Sequence, residues 1–204
     1  MKKILSIALV SVFLFAQNSF AIVDMKQVKK DAKKEAKTLK KEGWVTSPGA
    51  LPIERQLEDC YVKELEKDDM GFSQYFMGNS KPVGQNYDAA KLQGQTLARL
   101  DIASKIQNEI TALITNSVAN KQLENDQAAS ITQTVMKSKE LISGKLAMTA
   151  VLLECYRKLP NGNYELMIRI AYPKAKAMEL ARQALREQLE QESDELARAL
   201  DNVK

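Results

Sequence analysis

The feature that most constrains the fold is a pair of apolar runs on either side of Pro160-Asn161-Gly162-Asn163. LAMTAVLLECYRK comes before this turn and YELMIRIAYP comes after it. Asn-Gly is the dipeptide that two-residue β-hairpins prefer. The sequence therefore predicts two antiparallel strands late in the chain, and the remaining segments must supply cover for a sheet.

A hairpin with Asn161 and Gly162 in its turn fixes which residues lie opposite one another. This register places opposite charges together on one side of the sheet and apolar residues together on the other. The predicted pairs are Lys158 with Glu165, Glu154 with Arg169, Cys155 with Ile168, Leu153 with Ile170 and Val151 with Tyr172. Arg157 opposite Leu166 is the one pair that this register does not explain.

Residues 87–114 read as a long helix that is small at one end and bulky at the other. The small residues are Ala89, Ala90, Gly94, Ala98 and Ala103. A glycine inside a helix costs roughly 1 kcal/mol relative to alanine, so a closely packed neighbour is a physical reason for Gly94. We expect a sheet to be that neighbour; the alternative is a helix that simply uses good helix formers.

The other segments complete an α+β fold. We expect a small, mostly antiparallel sheet with a C-terminal β-hairpin, packed by the long Ala-rich helix, plus N-terminal helices and a long C-terminal helix. The predicted segments are helices at 25–42 and 52–67, a strand within 72–84, a short strand near residue 117, a helix capped by Asn125-Asp126, and a last helix after Pro173. The predicted organisation is a signal peptide at 1–21, a helical extension at 22–70, an α+β domain at 71–185 and a helix end at 186–204.

The first residues indicate export. Lys2 and Lys3 precede the apolar stretch ILSIALVSVFLFA, which is too short to span a bilayer, and Ser19-Phe20-Ala21 suits a signal peptidase. We expect cleavage after Ala21 and a periplasmic or exported protein of a Gram-negative-type envelope; a retained membrane anchor is the alternative. The residue directly after the cleavage point is Ile22 and not cysteine, so lipidation is not predicted. No later stretch is apolar enough to span a membrane.

Residues 25–42 hold eight lysines against three acidic residues. Met25, Val28, Ala32, Ala36 and Leu39 recur at helical spacing and form a narrow apolar stripe. One interpretation is electrostatic attachment to lipid head groups or an anionic envelope polymer, with Lys29, Lys33, Lys37 and Lys40 as surface-binding candidates. The other interpretation is a solvated helix that packs through its thin stripe. Gly43 is a signal for the end of this helix.

Three further features allow two interpretations each. Cys60 and Cys155 form a candidate disulfide in an oxidising compartment, or they are two buried thiols. Trp44, the one tryptophan, is a packing anchor or a platform for ligand stacking. The last helix either provides an oligomer or partner surface or packs against its own chain, and its apolar pattern breaks at Glu192 and Ser193.

Enzyme chemistry has little support in the sequence. The chain has no histidine, no phosphate-binding glycine motif and no serine in a nucleophile-elbow context, so we predict no catalytic residues, no metal site and no cofactor. A hydrolase that uses Glu154 and Glu165 as a carboxylate pair is a distant alternative. Nucleic-acid recognition fits poorly with the export signal and with the lack of interleaved aromatic and basic residues.

The stretch from YDAAKLQGQTLARLDIASKI through KLPNGNYELMIRIAY resembles the bacterial envelope family typified by the flagellar outer-membrane lipoprotein FlgP and related surface lipoprotein antigens. The resemblance covers residues 72–185, and it implies a compact α+β domain with an assembly or surface role. This chain differs by lacking a lipid-attachment cysteine. We therefore expect an exported, non-catalytic cell-envelope protein that acts through binding or assembly. The alternative is a periplasmic protein that binds a small ligand or glycan between the sheet and the N-terminal helices.

Overall fold

The computed structural model describes residues 23–146 and 149–203. The predicted signal peptide and its cleavage site lie outside this part of the chain. The helices are α1 (Met25–Lys41), α2 (Ile53–Leu65), α3 (Tyr87–Ala119), α4 (Asn125–Lys137), α5 (Lys139–Lys145), α6 (Lys174–Glu192) and α7 (Asp194–Asp201). The strands are β1 (Val45–Thr46), β2 (Tyr75–Ser80), β3 (Val83–Gly84), β4 (Ala150–Lys158) and β5 (Tyr164–Pro173).

The five strands form one antiparallel sheet in the order β1-β4-β5-β2, with β3 also paired to β5. Helix α3 packs on one face of this sheet, and α2, with α1 packed on it, covers the other. The C-terminal helices pack around the C-terminal half of α3. The hydrophobic core between α3 and the sheet therefore continues to Leu185, Leu189 and Leu200. This arrangement confirms the predicted α+β architecture.

The C-terminal hairpin forms, but its register differs from the predicted one. Leu159 N–H donates to Asn163 O (2.8 Å) and Gly162 N–H donates to Leu159 O (2.9 Å), which makes a three-residue loop. The fixed φ of Pro160 suits the second position of a type I turn, and Gly162 takes the left-handed φ of 86° that closes such a loop. The turn therefore starts one residue earlier than a two-residue Asn-Gly turn would.

The one-residue shift moves the β4 side chains to the opposite face relative to β5. The observed partners are Arg157 with Glu165, Tyr156 with Leu166, Cys155 with Met167, Glu154 with Ile168 and Leu153 with Arg169. All five predicted pairs are therefore wrong: Lys158 with Glu165, Glu154 with Arg169, Cys155 with Ile168, Leu153 with Ile170 and Val151 with Tyr172. Arg157 now pairs with Glu165 at 2.6 Å, which removes the pair that the predicted register left unexplained.

Two helical predictions need correction. The predicted short strand near residue 117 is wrong, because α3 continues to Ala119 and ends at Asn120. The predicted single helix after Asn125-Asp126 is two helices, which meet at Ser138. The C-terminal helix also divides, at Ser193, where the apolar pattern of the sequence breaks; the Ser193 side chain accepts from Leu196 N–H and caps α7.

The end of α1 agrees with its sequence signal. Gly43 has a left-handed φ of 84° and donates to Lys40 O (3.2 Å), while Trp44 N–H donates to Leu39 O (3.0 Å). This pair of bonds is the Schellman arrangement that ends many helices at glycine. The chain direction after this helix end places Trp44 in the core, where 1% of the Trp44 surface is exposed. The structure therefore places Trp44 as a packing residue.

Helix α2 crosses the sheet from β4 to β2, and α1 ends near β4. Arg157 of β4 donates to Glu42 O just after α1 (3.2 Å), and Gln56 early in α2 accepts from Glu154 N–H of β4 (2.7 Å). Lys63 near the end of α2 donates to the Tyr75 hydroxyl of β2 (3.1 Å). Helix α1 thus ends, and α2 begins, over β4, and α2 ends over β2.

Candidate functional site

The most distinctive surface of the molecule is the exposed side of α1. We call its eight lysines the lysine face: Lys26, Lys29, Lys30, Lys33, Lys34, Lys37, Lys40 and Lys41, all of them exposed. At about 100° per residue they fall within an arc of about 140° around the helix. Within residues 23–146 and 149–203, none of them has a carboxylate oxygen within 4.0 Å. The four predicted surface-binding residues all belong to this face.

The opposite side of α1 is fixed to the protein. Val28, Ala32, Ala36 and Leu39 are buried, and the latter three belong to the cluster that includes α2 and β4. Asp24 caps the helix start by accepting from Lys26 N–H (2.9 Å) and Gln27 N–H (3.3 Å). Because the apolar stripe is occupied, α1 has no apolar face left for insertion into a membrane. The lysine face is a fixed, basic, polar surface.

Glu35 joins α1 to α2 and to the sheet. It accepts a hydrogen bond from the Tyr61 hydroxyl of α2, and Arg169 Nη2 of β5 lies 2.5 Å from its Oε1. Burial, followed by the hydrogen bond to Glu35, raises the pKa of Tyr61 to about 12. Burial acts to lower the pKa of Arg169, but the charge and hydrogen bond of Glu35, with smaller contributions from Cys60 and Tyr61, raise that pKa overall. This acidic residue of α1 is therefore used internally and does not neutralise the lysine face.

The two cysteines lie in one buried cluster. Cys60 of α2 and Cys155 of β4 are both 1% exposed or less and pack with Leu57 and Leu153. Burial raises the pKa of each thiol to about 12. The sulfurs are unbridged in the structure, and the disulfide stays a prediction. The register shift explains the common location, since it turns Cys155 toward the N-terminal helices.

A cavity of about 600 Å³ lies between α2 and the sheet, and we call it the α2 cleft. Its walls include Cys60 and Glu64 of α2, Met77 and Asn79 of β2, Lys81, and Arg169 of β5. It occupies the place where the sequence-based alternative put a ligand, between the sheet and the N-terminal helices. The charged residues that line it come from three segments far apart in sequence.

Glu154 is buried on the face of the sheet that α3 covers. It accepts from the Tyr87 hydroxyl, and Lys91 Nζ lies 3.0 Å from its Oε1. Burial and the bond to Glu154 raise the pKa of Tyr87 to about 12. Glu165 instead pairs with Arg157 on the opposite face of the sheet. The two carboxylates of the alternative hydrolase therefore cannot act on one bond, and that pairing is wrong.

The helices and the charged groups give three further findings. Within the described residues, no helix has a stretch apolar and long enough to cross a bilayer. The same residues contain no group of three or more His, Cys, Asp or Glu side chains placed to hold a metal ion. The apolar residues of the last helices, including Leu185, Leu189 and Leu200, are buried against the same chain. The apolar face that we predicted as an oligomer surface therefore contacts the protein's own core.

Comparison with known proteins found no matching family model, no similar curated protein and no similar solved structure. The resemblance to the FlgP family therefore stays an expectation that rests on residue pattern alone.

Sequence reasoning found the lysine face but missed the residues of the α2 cleft. The predicted register places Arg169 opposite Glu154, whereas the ion-pair partner of Arg169 is Glu35, 134 positions away. No local pattern contains such a contact. The one available signal was the unexplained pair of Arg157 and Leu166, which indicated a register error and hence a different face for the residues of β4.

Proposed function

We propose that this is an exported, non-catalytic cell-envelope protein that attaches to an anionic phospholipid surface through its lysine face. One observation carries the proposal: eight exposed lysines share one side of a helix, without an acidic partner among the described residues. A solvated helix has no need of such segregation, since mixed charges keep a surface equally soluble. That the protein is exported is proposed from residues 1–21 of the sequence.

The way in which α1 is held supports attachment by electrostatics without insertion. Its 17 residues give a rigid basic surface about 25 Å long. Basic residues close to an anionic membrane surface contribute about 1 kcal/mol each. Four lysines in contact would give an affinity in the millimolar range and eight would give micromolar affinity. The protein would therefore bind reversibly, and salt would weaken the binding.

The test is sedimentation of the purified protein with phospholipid vesicles. We expect binding to vesicles that contain phosphatidylglycerol, no binding to neutral phosphatidylcholine vesicles, and loss of binding as salt rises from about 0.05 to 0.5 M. Replacing Lys29, Lys33, Lys37 and Lys40 with glutamine should abolish most of the binding. An anionic polysaccharide that competes no better than salt of equal ionic strength would agree with a membrane partner.

The matched control variant removes four positive charges from outside α1. Lys67, Lys121, Lys137 and Lys158 are exposed and lie outside α1. Their replacement with glutamine should leave vesicle binding within about twofold of the wild type, because the removed charges are not on the lysine face. Equal losses in the two variants would show that net charge alone acts. That result, or unchanged binding of the α1 variant, would overturn the proposal.

A further inference from the structure

The α2 cleft carries a second inference, which does not depend on the lysine face. We propose that it binds a small zwitterion with an apolar side chain, such as an apolar amino acid or a short peptide. The argument begins with the sheet register. Asn79 of β2 lies opposite Arg169 of β5, so the two side chains share the face that α2 covers. Lys81 follows Asn79 by two positions and also lines the cleft.

Each of these three side chains has hydrogen-bond donors without an acceptor among the described residues. Arg169 uses Nη2 on Glu35, and no other acceptor of the described chain lies within hydrogen-bond distance of its guanidinium. The Asn79 amide group has no side-chain partner in residues 23–146 and 149–203, since only its backbone N–H is engaged, by Asp101. A guanidinium, an amide and an ammonium on one wall of a cavity are suited to a carboxylate.

Glu64 supplies the opposite charge. It lies on α2 at the wall of the same cavity, and within the described residues it has no basic group within 4.0 Å. Lys81 likewise has no acidic group within that distance and lies 5.1 Å from the centre of the Trp44 ring. The two opposite charges line one cleft without forming an ion pair, because α2 and the sheet hold them apart. A ligand that carries both charges can contact both groups at once.

The rest of the wall is suited to an apolar side chain. Cys60 is buried, and its sulfur is uncharged both as a thiol, whose pKa burial raises to about 12, and in a disulfide. Met77 and Met167 also line the cleft, and thioethers adapt to different apolar shapes. The volume, about 600 Å³, is within the range of small-molecule sites. The ligand class follows: a carboxylate for Arg169, Asn79 and Lys81, an ammonium for Glu64, and an apolar group for the sulfur-containing wall.

The test uses three probes that differ by one charge. L-leucine has both charges, N-acetyl-leucine lacks the ammonium and leucinamide lacks the carboxylate. Binding is followed in protein labelled with ¹³C at the methionine methyl groups. We expect L-leucine, titrated to about 10 mM, to shift the Met77 and Met167 signals and to leave exposed Met70 and Met136 unchanged. Each of the other probes should bind about tenfold more weakly or worse.

Two variants assign the charges. Glu64→Gln should remove the difference between L-leucine and N-acetyl-leucine. Lys81→Gln should reduce the difference between L-leucine and leucinamide to about threefold, because Arg169 and Asn79 still contact the carboxylate. Both positions are exposed, so both variants should fold. The four-glutamine variant of the lysine face should bind L-leucine as the wild type does, which separates this proposal from membrane attachment. No shift of Met77 or Met167 with L-leucine, or equal binding of the three probes, would overturn the inference.

Discussion

Gly94 of the long helix lies directly against Ile168 of the central strand. A Cβ atom at position 94 would be 2.6 Å from Ile168 Cδ1 and 2.9 Å from Pro82 Cγ. This contact confirms the expectation that the small side of α3 packs on a sheet. Gly78 of β2 makes the reciprocal contact, since a Cβ there would meet Ala98 O of α3 and lie 2.8 Å from Ile102 Cγ1. The helix and the sheet approach closely because glycine occupies both sides.

We predict that Gly94→Leu lowers the free energy of unfolding by about 1–3 kcal/mol, because the new side chain has no space between α3 and β5. Gly94→Ala is the control. Its single methyl group meets the movable end of Ile168 and the ring of Pro82, and the higher helix propensity of alanine, worth about 1 kcal/mol, offsets part of these contacts. Urea unfolding measures both variants. A leucine variant that is no less stable than the alanine variant would contradict the close packing.

We also predict that the reduced protein loses stability above pH 9. Cys60 and Cys155 have pKa values raised from 9.0 to about 12 by burial. Both thiols stay neutral in the folded state, while in the unfolded state they ionise as the pH passes 9. Their contribution is therefore fully present below pH 9 and declines by about 1.4 kcal/mol per thiol for each pH unit above it.

Urea unfolding in reductant at pH 8, 9 and 10 measures this decline. The double variant Cys60→Ala, Cys155→Ala is the control, and it should keep only the smaller alkaline dependence that Tyr61 and Tyr87 contribute through their raised pKa values. If the wild type and the double variant show the same dependence on pH, the thiols do not ionise on unfolding in the way that their burial requires.

The disulfide prediction concerns the oxidised protein. Both thiols belong to the cluster that joins the N-terminal helices to the sheet, so a bridge would fasten the two parts together. Closing a loop of about 95 residues would add about 4–5 kcal/mol to the stability in the chain-entropy model. We expect no reactive thiol in denatured, unreduced protein and two after reduction. Two reactive thiols without reductant would show that the bridge does not form.

The sequence predicted the fold class because its signals are local. The Asn-Gly turn, the small side of α3 and the glycine stop after α1 each depend on a few neighbouring residues. The hairpin register was missed because Pro160 competes with Asn161 for the start of the turn, and one residue decides which face Cys155 occupies. The strand predicted near residue 117 is wrong because Ile110 and Ile114 are buried in the same core as the C-terminal helices, and α3 continues to Ala119.

Of the two candidate sites, only the one built from a single segment could be predicted from the sequence. The lysine face lies within one helix, so its charge pattern is visible in the sequence. The α2 cleft depends on residues of three segments, and its electrostatics depend on Glu35, which pairs with Arg169 across 134 positions. Such contacts follow from the register and from the crossing of α2 over the sheet, and neither is determined by local pattern.

The last prediction concerns the outer edge of β2, which ends the sheet. Two helix residues occupy its outward backbone groups: Asp101 Oδ2 accepts from Asn79 N–H (2.9 Å), and Lys105 Nζ donates to Met77 O (2.5 Å). The two side chains also pair with each other at 2.9 Å. An unprotected edge strand pairs readily with another chain, so we expect this pair to prevent association.

We therefore predict that Asp101→Ala with Lys105→Ala speeds hydrogen exchange at the Asn79 amide and increases self-association, measured by sedimentation at rising concentration. The matched control is Lys176→Ala with Glu179→Ala, which removes an exposed ion pair of α6 (2.9 Å) far from the edge strand in sequence and should change neither observable. If the Asp101 and Lys105 variant keeps the mass and the Asn79 exchange rate of the wild type, the two side chains do not protect the edge. If the control variant associates equally, the effect comes from lost surface charge and not from an opened strand.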